Sequence, residues 1–116
     1  MTPAQKDITL YRGDTYELFA RIKDGSGVYR DLTGWVGLAQ YRATVDDSTV
    51  LATFSVVLGN QTTAPGSFFM RLTDTVTAAL TVLSGVYDLQ FTFPDGTKGT
   101  YMAGKVTVTK DVSRLP

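Results

Sequence analysis

The chain has 116 residues, which suits one domain spanning 1–116, and it carries 11 basic and 11 acidic side chains but no cysteine or histidine. Without those two residue types there can be no disulfide, no Cys or His metal ligand, and no Ser-His-Asp or Cys-His catalytic arrangement. Zero net charge disfavours nucleic acid and membrane as partners, because phosphate binding draws on an excess of Lys and Arg. The N-terminal sequence lacks the apolar core of a signal peptide, and no apolar run approaches the ~20 residues of a membrane span.

Apolar and polar residues alternate through most of the chain, as they do in half-buried strands. Strands are predicted, in chain order, at 7–11, 15–23, 35–42, 50–58, 67–72, 86–93 and 100–109. Clusters of Gly, Asp, Asn, Ser and Pro separate them, and the segment 73–80 (TDTVTAAL) predicts a single helical turn capped by Thr73 or Asp74. Short strands at this spacing predict an all-β fold, an antiparallel β-sandwich of about seven or eight strands with one short helical turn.

The side chains of each predicted strand can be sorted into two faces. On the second predicted strand, Tyr16 and the alternate residues after it should face the core, which places Phe19 outside. By the same alternation, Phe69 and Arg71 lie on the outer face of the fifth predicted strand and Val57 on that of the fourth. Apolar side chains exposed on neighbouring strands form patches that usually mark an interface. These four residues are the predicted protein interface, and we expect a homo-oligomer, with a trimer as the favoured number.

The segment 83–89 (LSGVYDL) follows the helical turn and opens a long strand. Immunoglobulin-type sandwiches often place a Gly or Ala two residues before a Tyr at this corner, and the Tyr hydroxyl bonds to upstream backbone. Here Gly85 precedes Tyr87, so the Tyr87 hydroxyl is expected to bond backbone near the helical turn. Trp35 is expected to be the large core residue between the sheets. The chain therefore resembles an immunoglobulin-like sandwich held by apolar packing alone.

The segment 31–35 (DLTGW) contains the three residue types that aspartic proteases use, an Asp, a Thr and a Gly. In those enzymes the three residues are contiguous and two such loops share a proton between their carboxylates. Leu32 interrupts the spacing here, and the chain has no second copy. The segment instead predicts a turn, in which Asp31 accepts a hydrogen bond from backbone two residues on and Gly34 takes a positive φ.

Three further patterns have both a functional and a structural interpretation. Asp46-Asp47 suits either a divalent cation or the tip of a hairpin, and Arg12-Gly13-Asp14 spells either an integrin-binding signal or a turn. Four aromatic residues form either a sugar-stacking platform or part of the core and its edges: Trp35, Tyr29, Tyr41 and Tyr101. The structural interpretation is favoured each time, because no EF-type loop is present and each pattern lies in or beside a predicted strand. No catalytic residue, metal or cofactor is predicted.

The order of these features is similar to that in a known group of proteins. The features that carry the similarity are "ITLYRGDTYELFARIKDGSGVYRDLTGW" at 8–35, "GVYDLQFTFPDG" at 85–96, the closing strand at 104–108, and the terminal motif from Asp111 to Arg114. Together they resemble small immunoglobulin-like structural proteins of tailed bacteriophages, including the N-terminal domain of baseplate upper proteins. The resemblance covers nearly the whole chain.

The resemblance implies a non-enzymatic structural protein of the virion, assembled in the host cytoplasm, that docks on proteins of the capsid shell or of the tail and baseplate. In baseplate upper proteins a longer receptor-binding or scaffold region follows such a domain, whereas this sequence ends at Pro116. A head decoration (cement) protein or a tail/baseplate adaptor is therefore expected here. The alternative is a carbohydrate-binding or adhesive β-sandwich module, which binds glycan as a soluble unit. The missing His and Cys residues disfavour an enzyme.

Overall fold

A computed structural model describes residues 3–110. Within them lie eight strands and one helix: β1 (Ala4–Gln5), β2 (Ile8–Tyr11), β3 (Tyr16–Arg21), β4 (Val36–Arg42), β5 (Ala52–Leu58), β6 (Ser67–Leu72), α1 (Asp74–Ala78), β7 (Ser84–Thr92) and β8 (Lys98–Thr109). The predicted all-β class, strand number and short helical turn are confirmed. The two-residue β1 was not predicted, and the motif from Asp111 to Arg114 lies outside the described residues.

The strands form one curled sheet in the order β1-β8-β7-β4-β5-β6-β3, with β2 also paired to β8. β5 joins the two halves, because its residues 52–54 pair with β4 whereas its residues 55–58 pair with β6. The two halves face each other across one core, where the rings of Phe68 on β6 and Phe91 on β7 lie 5.4 Å apart. Because hydrogen bonding runs on through β5, the separate sheets of an immunoglobulin-like sandwich stay a prediction.

The expectation of a purely antiparallel arrangement is wrong at one end of the sheet. β1 and β2 both run parallel to β8, with Ala4 opposite Met102 and Ile8 opposite Val106. Parallel neighbours cannot be joined by a tight hairpin and need a crossover connection. Here nearly the whole chain separates the paired strands, so no local turn constrains their direction. The strand alternation that predicted the sheet carries no information on this choice.

Trp35 lies at the centre of an aromatic cluster and is 8% exposed, as predicted. Its ring centroid lies 4.7 Å from that of Phe93 and 5.5 Å from those of Phe91 and Tyr101. The core also contains apolar residues from all the strands except β1 and β3, and Tyr16, Leu18 and Ala20 of β3 pack against it while half-buried. The predicted inward faces of β3 and β6 are therefore confirmed.

Tyr87 is buried, as predicted, but its hydroxyl donates to the backbone carbonyl of Lys6 in the β1–β2 connection. The predicted bond to backbone near the helical turn is therefore wrong for Tyr87. The parallel strands beside β8 bring the Lys6 carbonyl to this corner, and burial raises the pKa of Tyr87, which keeps its hydroxyl protonated. A bond of the predicted kind is made by Tyr41 of β4, whose hydroxyl donates to the Val82 carbonyl just after α1 at 2.7 Å.

We expect Trp35→Ala to lower the free energy of unfolding by about 3–5 kcal/mol, because it leaves a cavity among three other rings. The neighbouring change Val36→Ala removes a side chain that is 67% exposed. It should therefore alter stability by no more than about 0.5 kcal/mol. Urea unfolding of both variants measures the difference, and equal losses would contradict the assignment of Trp35 to the core.

Candidate functional site

Three apolar side chains form a row on the outer face of neighbouring strands. Phe19 on β3 is the register partner of Phe69 on β6, which is in turn the partner of Val57 on β5. The Phe19 and Phe69 rings lie 5.1 Å apart, and Phe19 and Val57 are 52% and 56% exposed. The structure thus brings the predicted apolar interface residues side by side. We call Phe19, Phe69 and Val57 the outer apolar row.

Arg71, the fourth predicted interface residue, lies next to this row. It is paired in register with Glu17 of β3 and Ser55 of β5. The Arg71 Nη1 and Glu17 Oε2 atoms are 4.0 Å apart, and both side chains are about half exposed. Such an exposed ion pair adds little stability to a fold. Its place beside an apolar row instead resembles the polar rim that surrounds the core of a protein interface.

The outer apolar row includes Phe69 because β6 carries a phenylalanine on each of its faces. Phe68, Met70 and Leu72 point inward, are at most 2% exposed, and fill the core on the inner side of β6. Phe69 has no core position left, since neighbouring residues of a strand point to opposite faces. The alternation that fills the core therefore forces Phe69, together with Phe19, to the surface.

The prediction missed two more exposed apolar residues in the same sheet. Val36 and Leu38 of β4 are 67% and 46% exposed, and β4 is the next strand after β5. Their signal is present in the sequence, because they alternate with the buried residues Ala39 and Tyr41 on either face of the strand. The outer face of β4, in the other half of the sheet, therefore also carries exposed apolar side chains.

Gln61 fixes the loop that joins β5 to β6 and so positions the outer apolar row. Its Oε1 accepts from the backbone N–H groups of Leu32 and Gly66 at 3.0 and 2.8 Å. Its Nε2 donates to the carbonyls of Gly59 and Ser67 at 3.0 and 2.9 Å. These four bonds use both donors of the amide and two acceptor positions of its oxygen. Gln61 gives no pattern in the sequence, because a polar loop residue has no periodic signal.

The DLTGW segment is a bend, as predicted. The Asp31 Oδ1 accepts from the backbone N–H and the hydroxyl of Thr33 at 2.9 and 2.6 Å, and the two bonds hold the pKa of Asp31 below its usual value. Gly34 has a φ of 86°, and the Trp35 N–H donates to the Leu32 carbonyl at 2.9 Å. The bend thus turns the chain so that the indole enters the core.

The Arg12-Gly13-Asp14 tripeptide is a turn, as predicted, and the structure shows that it packs against α1. The Asp14 N–H donates to the Tyr11 carbonyl at 3.1 Å, which closes the turn. Arg12 donates through Nη2 to the Ala78 carbonyl at the end of the helix, and the hydroxyl of the buried Thr77 donates to the Asp14 carbonyl. The Arg12 guanidinium therefore takes part in a hydrogen bond inside the protein.

The acidic pair of Asp46 and Asp47 lies at the β4–β5 connection, as predicted for a hairpin tip. The Asp47 N–H donates to the Thr44 carbonyl, and the Asp47 carboxylate accepts from the Thr49 N–H at 2.9 Å. Within residues 3–110, no three Asp or Glu side chains lie close enough together to hold a metal ion. In the same part of the chain, no helix is long and apolar enough to cross a membrane.

The four aromatic residues of the possible sugar platform do not share an open surface. Trp35 and Tyr41 are buried, and Tyr101 packs against Trp35. Tyr29 is 38% exposed, but the Arg21 guanidinium lies 3.5 Å above its ring centroid. The faces that a sugar ring would stack on are therefore occupied by the protein itself.

No family model matches this chain, and no curated protein matches it in sequence.

We expect Gln61→Glu to lower the free energy of unfolding by at least about 2 kcal/mol, since it removes two donated bonds and turns a charged oxygen toward two carbonyls. The deficit should shrink as the pH falls, because a protonated carboxyl regains one donor. Gln5→Glu makes the same chemical change at an exposed position and serves as the control. Urea unfolding at several pH values measures both, and equal stability of the two variants would contradict the role given to Gln61.

Proposed function

We propose that the protein is a non-enzymatic structural protein of a tailed-phage virion. It docks on other virion proteins through the outer apolar row, as a head decoration (cement) protein or as a tail/baseplate adaptor, after synthesis in the host cytoplasm. The observation that carries the proposal is the adjacency of Phe19, Phe69 and Val57 on the outer face of β3, β6 and β5. The resemblance of the chain to immunoglobulin-like phage proteins supplies the virion setting.

The outer apolar row provides the driving force that docking needs. Removing a Phe or Val side chain fully from water is worth about 1.5–3 kcal/mol. Phe19 and Val57 each still expose about half of their surface, so their burial against a partner can provide much of this free energy. Arg71 and Glu17 lie beside the row, where charges on a partner select its orientation more than its affinity. The surface therefore suits a protein partner with an apolar centre and charged margins.

The occupied aromatic faces weigh against the alternative of a carbohydrate-binding module. Sugar stacking requires an exposed ring face, and the Arg21 guanidinium covers Tyr29 while Trp35 is buried. The ring of Phe19, which is exposed, and that of Phe69, which is half-buried, are tilted by 55° to one another, so they do not present one flat platform. A tilted, apolar row is better suited to interdigitate with side chains of another protein.

Exchanging Phe19 and Phe69 together for Ser should reduce incorporation of the chain into virions by at least about tenfold, because truncated hot-spot aromatics cost about 2 kcal/mol or more. Incorporation is measured by immunoblot of gradient-purified particles that are produced from the genome encoding the chain. The fold should survive, since both side chains lie on the outer face. Thermal unfolding of the purified variant checks this point.

The matched control exchanges Tyr11 and Val45 for Ser, because these residues are 53% and 81% exposed but lie away from the outer apolar row. That variant should enter particles at the wild-type level. Equal incorporation of both double variants would overturn the docking surface. A wild-type chain that stays in the soluble fraction, while virions from the same genome lack it, would overturn the proposed function.

A further inference from the structure

β3 ends the sheet and has one free edge. Within residues 3–110 it pairs with β6 alone, on one side. A cleft of about 410 Å³, lined also by Phe68 of β6, lies between the end of β3 and Ala4 of β1 and Met102 of β8. A free edge presents unpaired N–H and C=O groups, which form a ready template for another strand.

The register of β3 identifies which backbone groups face this edge. The Ile22 N–H donates to the Gly66 carbonyl at 2.9 Å, in the same register as the β3–β6 ladder. Hydrogen-bonded residues recur at every second position of an antiparallel pair. The even-numbered residues of β3 therefore bond to β6. The N–H and C=O groups of Glu17, Phe19 and Arg21 point to the free edge.

Outward charges are the one usual protection that this edge has, in Glu17 and Arg21. Proteins blunt edge strands by making them very short, or with charged side chains, Pro, bulges and inward-pointing charges. β1, at the other end of the sheet, has only two residues. β3 has six residues in regular register with β6, without Pro or Gly, and its inward side chains are all apolar. β3 is thus the long, regular edge that can accept a partner strand.

We propose that two copies of this chain pair along β3, antiparallel, about a two-fold axis at Phe19. Phe19 then lies opposite Phe19 of the second copy, and its backbone N–H and C=O groups bond directly across the axis. Glu17 lies opposite Arg21 of the second copy, and Arg21 opposite Glu17. On the inner face, Leu18 lies opposite Ala20 and Tyr16 opposite Ile22, so apolar residues meet apolar residues.

The charges of β3 select this register over its neighbours. Opposite charges directly across an antiparallel pair are stabilising, and like charges are destabilising. Sliding one strand by two residues breaks both Glu17–Arg21 pairs and places Phe19 opposite a charged residue, and in one direction Glu17 then lies opposite Lys23. A slide of four residues places Glu17 or Arg21 opposite itself. The register centred on Phe19 is therefore the one that pairs the two charged residues of β3 with each other and keeps Phe19 opposite an apolar residue.

Arg21 is held in place before any partner arrives. Its Nε and Nη2 donate to the Pro65 carbonyl at 3.1 and 3.0 Å, and its guanidinium stacks over Tyr29. Its Nη1 makes no hydrogen bond within residues 3–110. The Pro65 carbonyl belongs to the loop that leads into β6, so these contacts hold the guanidinium on the β6 side of β3 and leave Nη1 for Glu17 of the second copy.

Pairing along β3 joins the two outer apolar rows into one. The combined row runs from Val57 through Phe69 and Phe19 of one copy to the same three residues of the other in reverse order. The inference thus deepens the proposed function and rests on it for the role of this larger surface. The pairing closes as a dimer, whereas the threefold arrangement expected from the sequence would need a different contact.

Sedimentation equilibrium of the purified chain, from micromolar to millimolar concentration, tests the pairing without any virion partner. The expected mass at high concentration is twice the 12.6 kDa of one chain. A single-chain mass throughout, or a mass of three chains, would overturn the proposal.

Two charge variants test the register. Glu17→Lys and Arg21→Glu each place two like-charge pairs across the axis, so each should weaken self-association at least about tenfold. An equal mixture should recover the dimer, because every pair is then of opposite charge. Asp46→Lys makes the same charge change at an exposed loop and should leave the dimer intact. Unchanged dimers of the single variants, or no recovery in the mixture, would contradict the register.

Backbone pairing is tested by Phe19→Pro against Phe19→Ala. Both lose the ring, but only Pro loses the N–H that points to the free edge, and this N–H is not part of the β6 ladder. Phe19→Pro should abolish the dimer while Phe19→Ala only weakens it; equal effects would exclude strand pairing. Phe69→Ser should keep the dimer and lose docking on virions. A failure of docking and a failure of pairing are therefore distinguishable.

Discussion

The curled sheet depends on β5, which changes partner partway along its length. Its first residues pair with β4 and its last four with β6, so one strand passes from one layer to the other. Strands that switch layers make the corners of such folds. At this corner Gly37 of β4 leaves room for Val56, since a Cβ there would lie 2.4 Å from Val56 Cγ1 and would force the side chain to move. The switch allows Phe68 and Phe91 to meet across one core without any disulfide.

The same switch determines what is left at the surface. Once β6 and β3 have turned over the core, Phe69 remains on the outer face of β6 and β3 remains as the last strand. The outer apolar row and the free edge are therefore two results of one topology. An apolar outer row and a free strand edge are two surface features that commonly mark protein interfaces.

Alternation of residues was sufficient to predict most of the sheet, because a strand with one buried face must alternate. It also placed Phe19, Phe69, Val57 and Arg71 together on one outer face. β1 has too few residues to alternate, and the direction of β1 and β2 beside β8 depends on contacts between opposite ends of the chain. Tertiary contacts also decide that Tyr41 rather than Tyr87 bonds to backbone just after α1, and no local pattern encodes them. The same holds for the four hydrogen bonds of Gln61.

Amide hydrogen exchange, followed by NMR at low and high protein concentration, tests most directly whether the β3 layer is an assembly surface. The N–H groups of Glu17, Phe19 and Arg21 face the free edge, whereas those of Leu18 and Ala20 face β6. The account predicts that exchange at the first three slows as concentration rises, while the other two are protected throughout. Exchange rates of the first three N–H groups that stay the same at low and high concentration would contradict it.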